Sequence, residues 1–202
     1  MFIKKLIGLI IWRIPILIKD KKDYFEYCRE DEKAIKLNKT NKISRFFNPI
    51  WKYEHALRKD EYFSNCCNHI WQKPIKAFYR YKHVKLGIKY GFSIPINVFG
   101  KGLSIAHVGT IVVNSGALIG DYCRIHVCTC IGTEAGKTNN APIIGNRVYI
   151  GPGAKIYGSI KIGNNIAIGA NSVVNKNFEQ DGITIAGIPA KQISNKGSFE
   201  LL

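Results

Sequence analysis

Acidic residues are scarce in this chain: 14 Asp and Glu stand against 30 Lys and Arg among 202 residues, for a formal net charge of +16. Most of the excess precedes Gly102, where 22 of the basic and 9 of the acidic residues fall. A surface so basic suits a nucleic acid, an anionic membrane face or an acidic glycan, and net charge alone does not choose among them. No helix-turn-helix, zinc or RNA-binding signature is present, so nucleic acid is excluded as the expected partner. The six Cys show no framework of spacings, which excludes a disulfide scaffold and suggests reduced thiols and a cytoplasmic setting. Cys66 and Cys67 have no second pair at metal spacing.

Long hydrophobic runs are also missing. The longest, Leu6 to Ile18, is broken by Arg13 and Pro15 and bracketed by Lys4, Lys5, Lys19, Lys21 and Lys22. A bilayer core needs about 20 apolar residues, so this segment does not span one. No small-residue cleavage site follows that would mark a secretory signal. Residues 1–22 are expected either to lie on an anionic membrane surface, with Trp12 at the interface, or to pack on protein.

What is present is a globular composition, 46% hydrophobic and 11% aromatic. Residues 1–91 read as a basic, aromatic-rich helical region. Helical spacing runs through Asp23 to Leu37, Asn48 to Asn65 and Asn68 to Lys85, with a polar break at Asn38 to Asn41 and Pro49 in a first helical turn. Residues 92–194 form a second region, and 195–202 a tail.

From Val113 the pattern changes. Aliphatic residues recur every sixth position at Val113, Ile119, Ile125 and Ile131, then in a shifted phase from Ile144 through Ile150, Ile156, Ile162 and Ile168 to Val174. Four residues after most of them comes a second apolar or small residue: Ala117, Cys123, Thr129, Val148, Ala154, Ile160, Ile166 or Ser172. A period of six fits neither an α-helix nor one long strand. Short strands joined by sharp corners satisfy it, with Gly and Asn tolerating the unusual corner angles, so the chain must coil upon itself.

This repeat resembles that of the hexapeptide-repeat acyltransferases. The resemblance implies a mainly β fold: a left-handed parallel β-helix of about 18 residues per coil, here behind an N-terminal α-helical region. It also implies a homotrimer and acetyl-CoA as co-substrate, with no metal. Within that superfamily AHVGTIVVNSGALIG, GKTNNAPIIG and TIAGIPAKQI look most like the serine acetyltransferase branch and its relatives that O-acetylate capsular and cell-surface polysaccharides.

Carried onto this chain, the resemblance places the catalytic base at His107, an imidazole suited to taking an alcohol proton near neutral pH. Backbone N–H groups at the corner glycines are candidate oxyanion donors. His126, 19 residues on, is expected one rung away, about 4.8 Å along the stack, as an acceptor-binding or auxiliary group. The phase break at Thr133 to Ala141 reads as an excursion in which Glu134 is a candidate for acceptor contact and Lys137 for CoA. Gly151, Gly169, Ala170, Ala186 and Gly187 match the region that accommodates CoA in the family, with Lys191 available to a phosphate. Two departures bear on the acceptor. Ala106 stands where the serine enzymes commonly carry Asp, and Ala141-Pro142 replaces their His-Pro. The expected acceptor is therefore a glycan or sugar hydroxyl in surface-polysaccharide assembly, with serine as the alternative.

Overall fold

The computed structural model describes residues 18–37, 42–137 and 141–202. Apart from residues 18–22, the amino-terminal segment with its expected membrane contact lies outside these, as does the polar break at Asn38 to Asn41.

The helical region contains α1 (Lys21–Ala34), α2 (Lys42–Phe47), α3 (Pro49–Cys66) and α4 (Lys73–Tyr90). Local chemistry sets the ends. Asp20 caps α1 by accepting the Asp23 N–H at 2.8 Å. Asn48 caps α3 by accepting from Trp51, with Pro49 in the first turn where its missing N–H costs nothing. A 3₁₀ turn at Ile70–Gln72 leads into α4, which ends at Gly91 with φ of 81°, a left-handed angle that a side chain would oppose. Against the expected segments, α1 is shifted to Lys21–Ala34 and α4 to Lys73–Tyr90, and α2 lies between segments.

From Phe92 the chain winds into a parallel coil with three faces. One face stacks β1 (Phe92–Ser93), β3 (Ile111–Val113), β6 (Thr129–Gly132), β9 (Lys155–Tyr157) and β12 (Val173–Val174). The second stacks β4 (Leu118–Ile119), β7 (Ile143–Ile144) and β10 (Lys161–Ile162). The third stacks β2 (Ser104–Ile105), β5 (Arg124–Ile125), β8 (Tyr149–Ile150), β11 (Ala167–Ile168) and β13 (Thr184–Gly187), and ends in β14 (Ala190–Ser194), the one antiparallel partner among the described strands. Each face contributes an aliphatic column to the interior, such as Ile105, Ile125, Ile150, Ile168 and Ile185. All ten six-residue repeats and their smaller companions are buried, as the period requires. At roughly 1.5–3 kcal/mol for each buried aliphatic side chain, these columns supply the main stabilisation of the coil.

Side chains also set the register along one corner. Asp121 accepts the Lys101 N–H, Asn146 that of Asp121, Asn164 that of Asn146, and Asp181 that of Asn164, at 2.6–3.1 Å. The sequence separations are 20, 25, 18 and 17, so the coil is less regular than 18 residues per turn. The longest separation contains the excursion that breaks the phase.

The helices close the open end of this coil. Its first turn has no preceding turn to take its backbone groups, and α1 and α3 supply the partners instead. Asp31 accepts from Leu103 N–H at 2.9 Å, Glu54 from Ile105 at 3.2 Å and Glu61 from Asn97 at 2.8 Å. Arg58, fully buried, donates to the carbonyls of Phe99 and Gly100 and pairs with Asp31 and Glu61. Burial works against its charge, but the two carboxylates outweigh burial and hold the guanidinium well above its ordinary pKa. Burial, reinforced by the charge of Asp31, raises the Glu54 carboxyl well above the usual range, so it keeps its proton.

Arg58→Ala is expected to cost about 3–5 kcal/mol in urea unfolding, because Asp31 and Glu61 would remain buried without a counter-charge. A second outcome follows from Glu54. Its proton is held in the native state but released in the unfolded chain above about pH 4.3, so native stability falls as pH rises through and beyond that point. Glu54→Gln should flatten this fall, read as unfolding midpoint against pH.

Candidate active site

His107 follows β2 at the corner where the chain turns from the third face to the first, and its side chain is exposed. The same corner recurs on each later coil. Backbone register places Ala106, His126, Gly151 and Gly169 in successive turns, each N–H donating to the equivalent position above: Ile125, Ile150, Ile168 and Ile185 carbonyls. Ala170 and Gly187 follow on the same edge. Lys191, exposed on β14, lies opposite Ala186. Seven of the ten sequence candidates therefore share one edge of the prism, and Lys191 adjoins it.

His126 stands one coil from His107 but is in register with Ala106. The two rings are nonetheless 6.2 Å apart, and His126 packs against Tyr149 on the next coil at 4.9 Å. Thr129 fixes the turn by donating to the His126 carbonyl at 2.8 Å. The His126 Nε2 is buried and has no hydrogen-bond partner among the described residues. Burial, then the charge of Arg124 and the proximity of His107, lower its pKa and favour the neutral ring.

The edge is narrow because small residues line it. A Cβ at Gly151 would lie 2.6 Å from the Ile168 carbonyl oxygen, so glycine there permits the close stacking of coils. The N–H groups of the corner glycines have partners: Gly151, Gly153 and Gly169 donate to carbonyls of neighbouring coils, Gly187 to the Ser172 hydroxyl, and Gly109 to the Tyr90 carbonyl at the end of α4.

Glu134 and Lys137 are not brought to this edge. They sit in the excursion after β6, exposed, and pair with each other at 2.7 Å. Two further residues escape a reading of the sequence. Tyr149 covers His126, and Lys155 donates from its Nζ to the carbonyl of Cys128 at the same corner. The coil length changes between His126 and these positions, so a fixed spacing does not reveal them. Cys128 and Cys130 are exposed, whereas Cys123 is buried in the repeat, where burial pushes its thiol up to about 12. No three His, Cys, Asp or Glu side chains among the described residues are grouped to hold a metal ion.

The profile of the bacterial transferase hexapeptide (six repeats) family matches residues 141–176, within the coil. The particular relatives are serine acetyltransferases. The chain is 32% identical over 174 residues to that of Buchnera aphidicola, covering 84% of this chain and 61% of the relative. It is 39% identical over 101 residues to that of Synechococcus elongatus, covering 48% and 40%. Among solved structures, the serine acetyltransferase of Brucella abortus in complex with Coenzyme A aligns over 88% of this chain and 70% of its own, with TM-score 0.67 and 27% identity. That of Neisseria gonorrhoeae in complex with serine aligns over 86% and 70%, with TM-score 0.64 and 25% identity. The chain spans 40–61% of the length of the first three curated relatives.

These relatives overturn the expectation of a polysaccharide hydroxyl as acceptor, since the matching proteins are serine acetyltransferases. That expectation rested on two positions, Ala106 and Ala141. In the structure the coil above Ala106 supplies a polar side chain, His126, and Arg124 lies on the same face, so alanine at one position does not leave the edge apolar.

Proton NMR should show His126 titrating below the ordinary His midpoint near 6.5. Removing the nearby charge in Arg124→Gln is expected to raise that midpoint.

Proposed function

We propose that this protein is an acetyl-CoA-dependent serine O-acetyltransferase, acting as a homotrimer of left-handed β-helices. The observation that carries the reading is the exposed His107 on an edge of small, closely stacked residues, in a chain similar to serine acetyltransferases over 174 residues.

The chemistry needs a base for a hydroxyl and a slot for a thioester. His107 takes the proton of the serine hydroxyl as its oxygen attacks the acetyl carbonyl. The resulting tetrahedral intermediate collapses with cleavage of the carbon–sulfur bond, and the imidazolium returns its proton to the departing CoA sulfur. Free CoA and O-acetylserine are the products. His126, neutral and beside His107, adds no positive charge that would disfavour the imidazolium formed in this step. The edge from Gly151 to Gly187 accommodates the thin pantetheine arm, and Lys191 meets a CoA phosphate as a point charge. Glu134 and Lys137, displaced from this edge within one chain, contribute to the site of a neighbouring protomer.

Release of free CoA from acetyl-CoA should depend on L-serine and not on sugar acceptors. His107→Ala is expected to lower kcat by roughly 10²-fold or more while leaving the KM for acetyl-CoA near its original value. Turnover without serine dependence, or an indifferent His107→Ala variant, contradicts the reading.

A further inference from the structure

Helix α4 carries its apolar residues on both sides, and only one side is covered. Inward, His83 and Gly87 are buried, Leu86 and Tyr90 pack on the core of the coil, and Tyr79 stacks on Phe63 of α3 at 4.6 Å. Outward, Phe78, Tyr81 and Ile88 are 58%, 62% and 81% exposed, and Trp71 in the preceding turn is 72% exposed. Positions 78, 81, 85 and 88 are three and four apart, so Phe78, Tyr81 and Ile88 form one stripe interrupted only by Lys85. Scattered exposed apolar residues need no explanation; an aromatic stripe of this length does.

The charge on this helix identifies what fits the stripe. The helix has six Lys and Arg and no Asp or Glu. Lys82, Lys85 and Lys89 are exposed and make no ion pair among the described residues. A second copy of this chain is a poor complement. Asp31, Glu54, Asp60 and Glu61 are buried, and Glu26, Glu30, Glu32 and Glu134 pair with basic residues of the same chain. Of the remaining acidic residues Asp20, Glu179, Asp181 and Glu200 are exposed, all on elements other than α4, and α4 against α4 would bring like charges together. No helix among the described residues is long and apolar enough to cross a membrane. The combination of apolar aromatics with snorkelling lysines suits a helix lying in a bilayer interface.

We propose that α4 is a membrane-surface element that docks this protein on anionic lipid, with Phe78, Tyr81 and Ile88 entering the headgroup region and Lys82, Lys85 and Lys89 meeting lipid phosphates. Each lysine near such a surface strengthens binding, and the attraction is screened by salt.

Flotation of the full-length protein tests this, with vesicles of phosphatidylcholine alone and of equal parts phosphatidylcholine and phosphatidylglycerol. Binding is expected to the anionic vesicles only and to weaken with salt. The triple change Lys82→Ala, Lys85→Ala and Lys89→Ala should lower the partition coefficient by roughly a hundredfold. The pair Phe78→Ser and Ile88→Ser should lower it by roughly tenfold or more, with an unchanged melting curve by circular dichroism. The proposal is overturned if the protein ignores both vesicles, binds both equally, or floats undiminished in these variants because another segment carries the attachment. It is also overturned if Phe78→Ser with Ile88→Ser changes the sedimenting mass, which would make the stripe a contact between copies.

Discussion

A parallel coil has an inherent difficulty at its first turn, whose backbone groups lack a preceding turn to pair with. Exposed strand edges of this kind invite association with other chains. Here the solution is a buried guanidinium, Arg58, that joins two carboxylates of the helices to two carbonyls of the coil. The carboxylates in turn hold the N–H groups of Leu103 and Asn97. Helices and repeat are therefore bound through a polar network in which each of these groups has a partner. A hydrophobic contact would be indifferent to which backbone groups it covered, whereas these hydrogen bonds specify where the first turn sits.

The position of the first turn decides the geometry of the candidate site. His107 lies two residues beyond Ile105, whose N–H is held by Glu54, so the cap acts close to the proposed base. Above it the coil repeats the same corner, first with His126 and then with glycines and alanines. Stacking gives one edge a polar lower portion at His107 and His126 and a closely packed upper portion of small residues, the two parts to which the proposed function assigns acceptor and thioester. The cost of close stacking is that corner donors are consumed by neighbouring coils.

Legibility from sequence follows interaction range. The aliphatic columns are legible because one local rule, applied every sixth residue, decides which side chains face inward. His107 and the small residues of the edge are legible through motifs that resemble a known family. Arg58, Asp31 and Glu61 are not, since Arg58 reaches Asp31, Phe99 and Gly100 across 27 to 42 residues and nothing in helical periodicity distinguishes a buried Arg from a solvated one. Tyr149 escapes notice because the excursion after β6 displaces it from any fixed spacing relative to His126. The acceptor is misread when Ala106 is considered alone, without the side chain stacked on it by the next turn.

By itself, then, the chain's order of residues determined that it coils, which positions fill the interior and which imidazole begins the repeat, because these depend on short-range periodicity and local turn chemistry. Only the tertiary structure decided how the coil is capped, which side chains share an edge with His107 and which face of α4 remains uncovered. Those outcomes depend on pairings between residues distant along the chain, whose register is set when the helices close on the first turn.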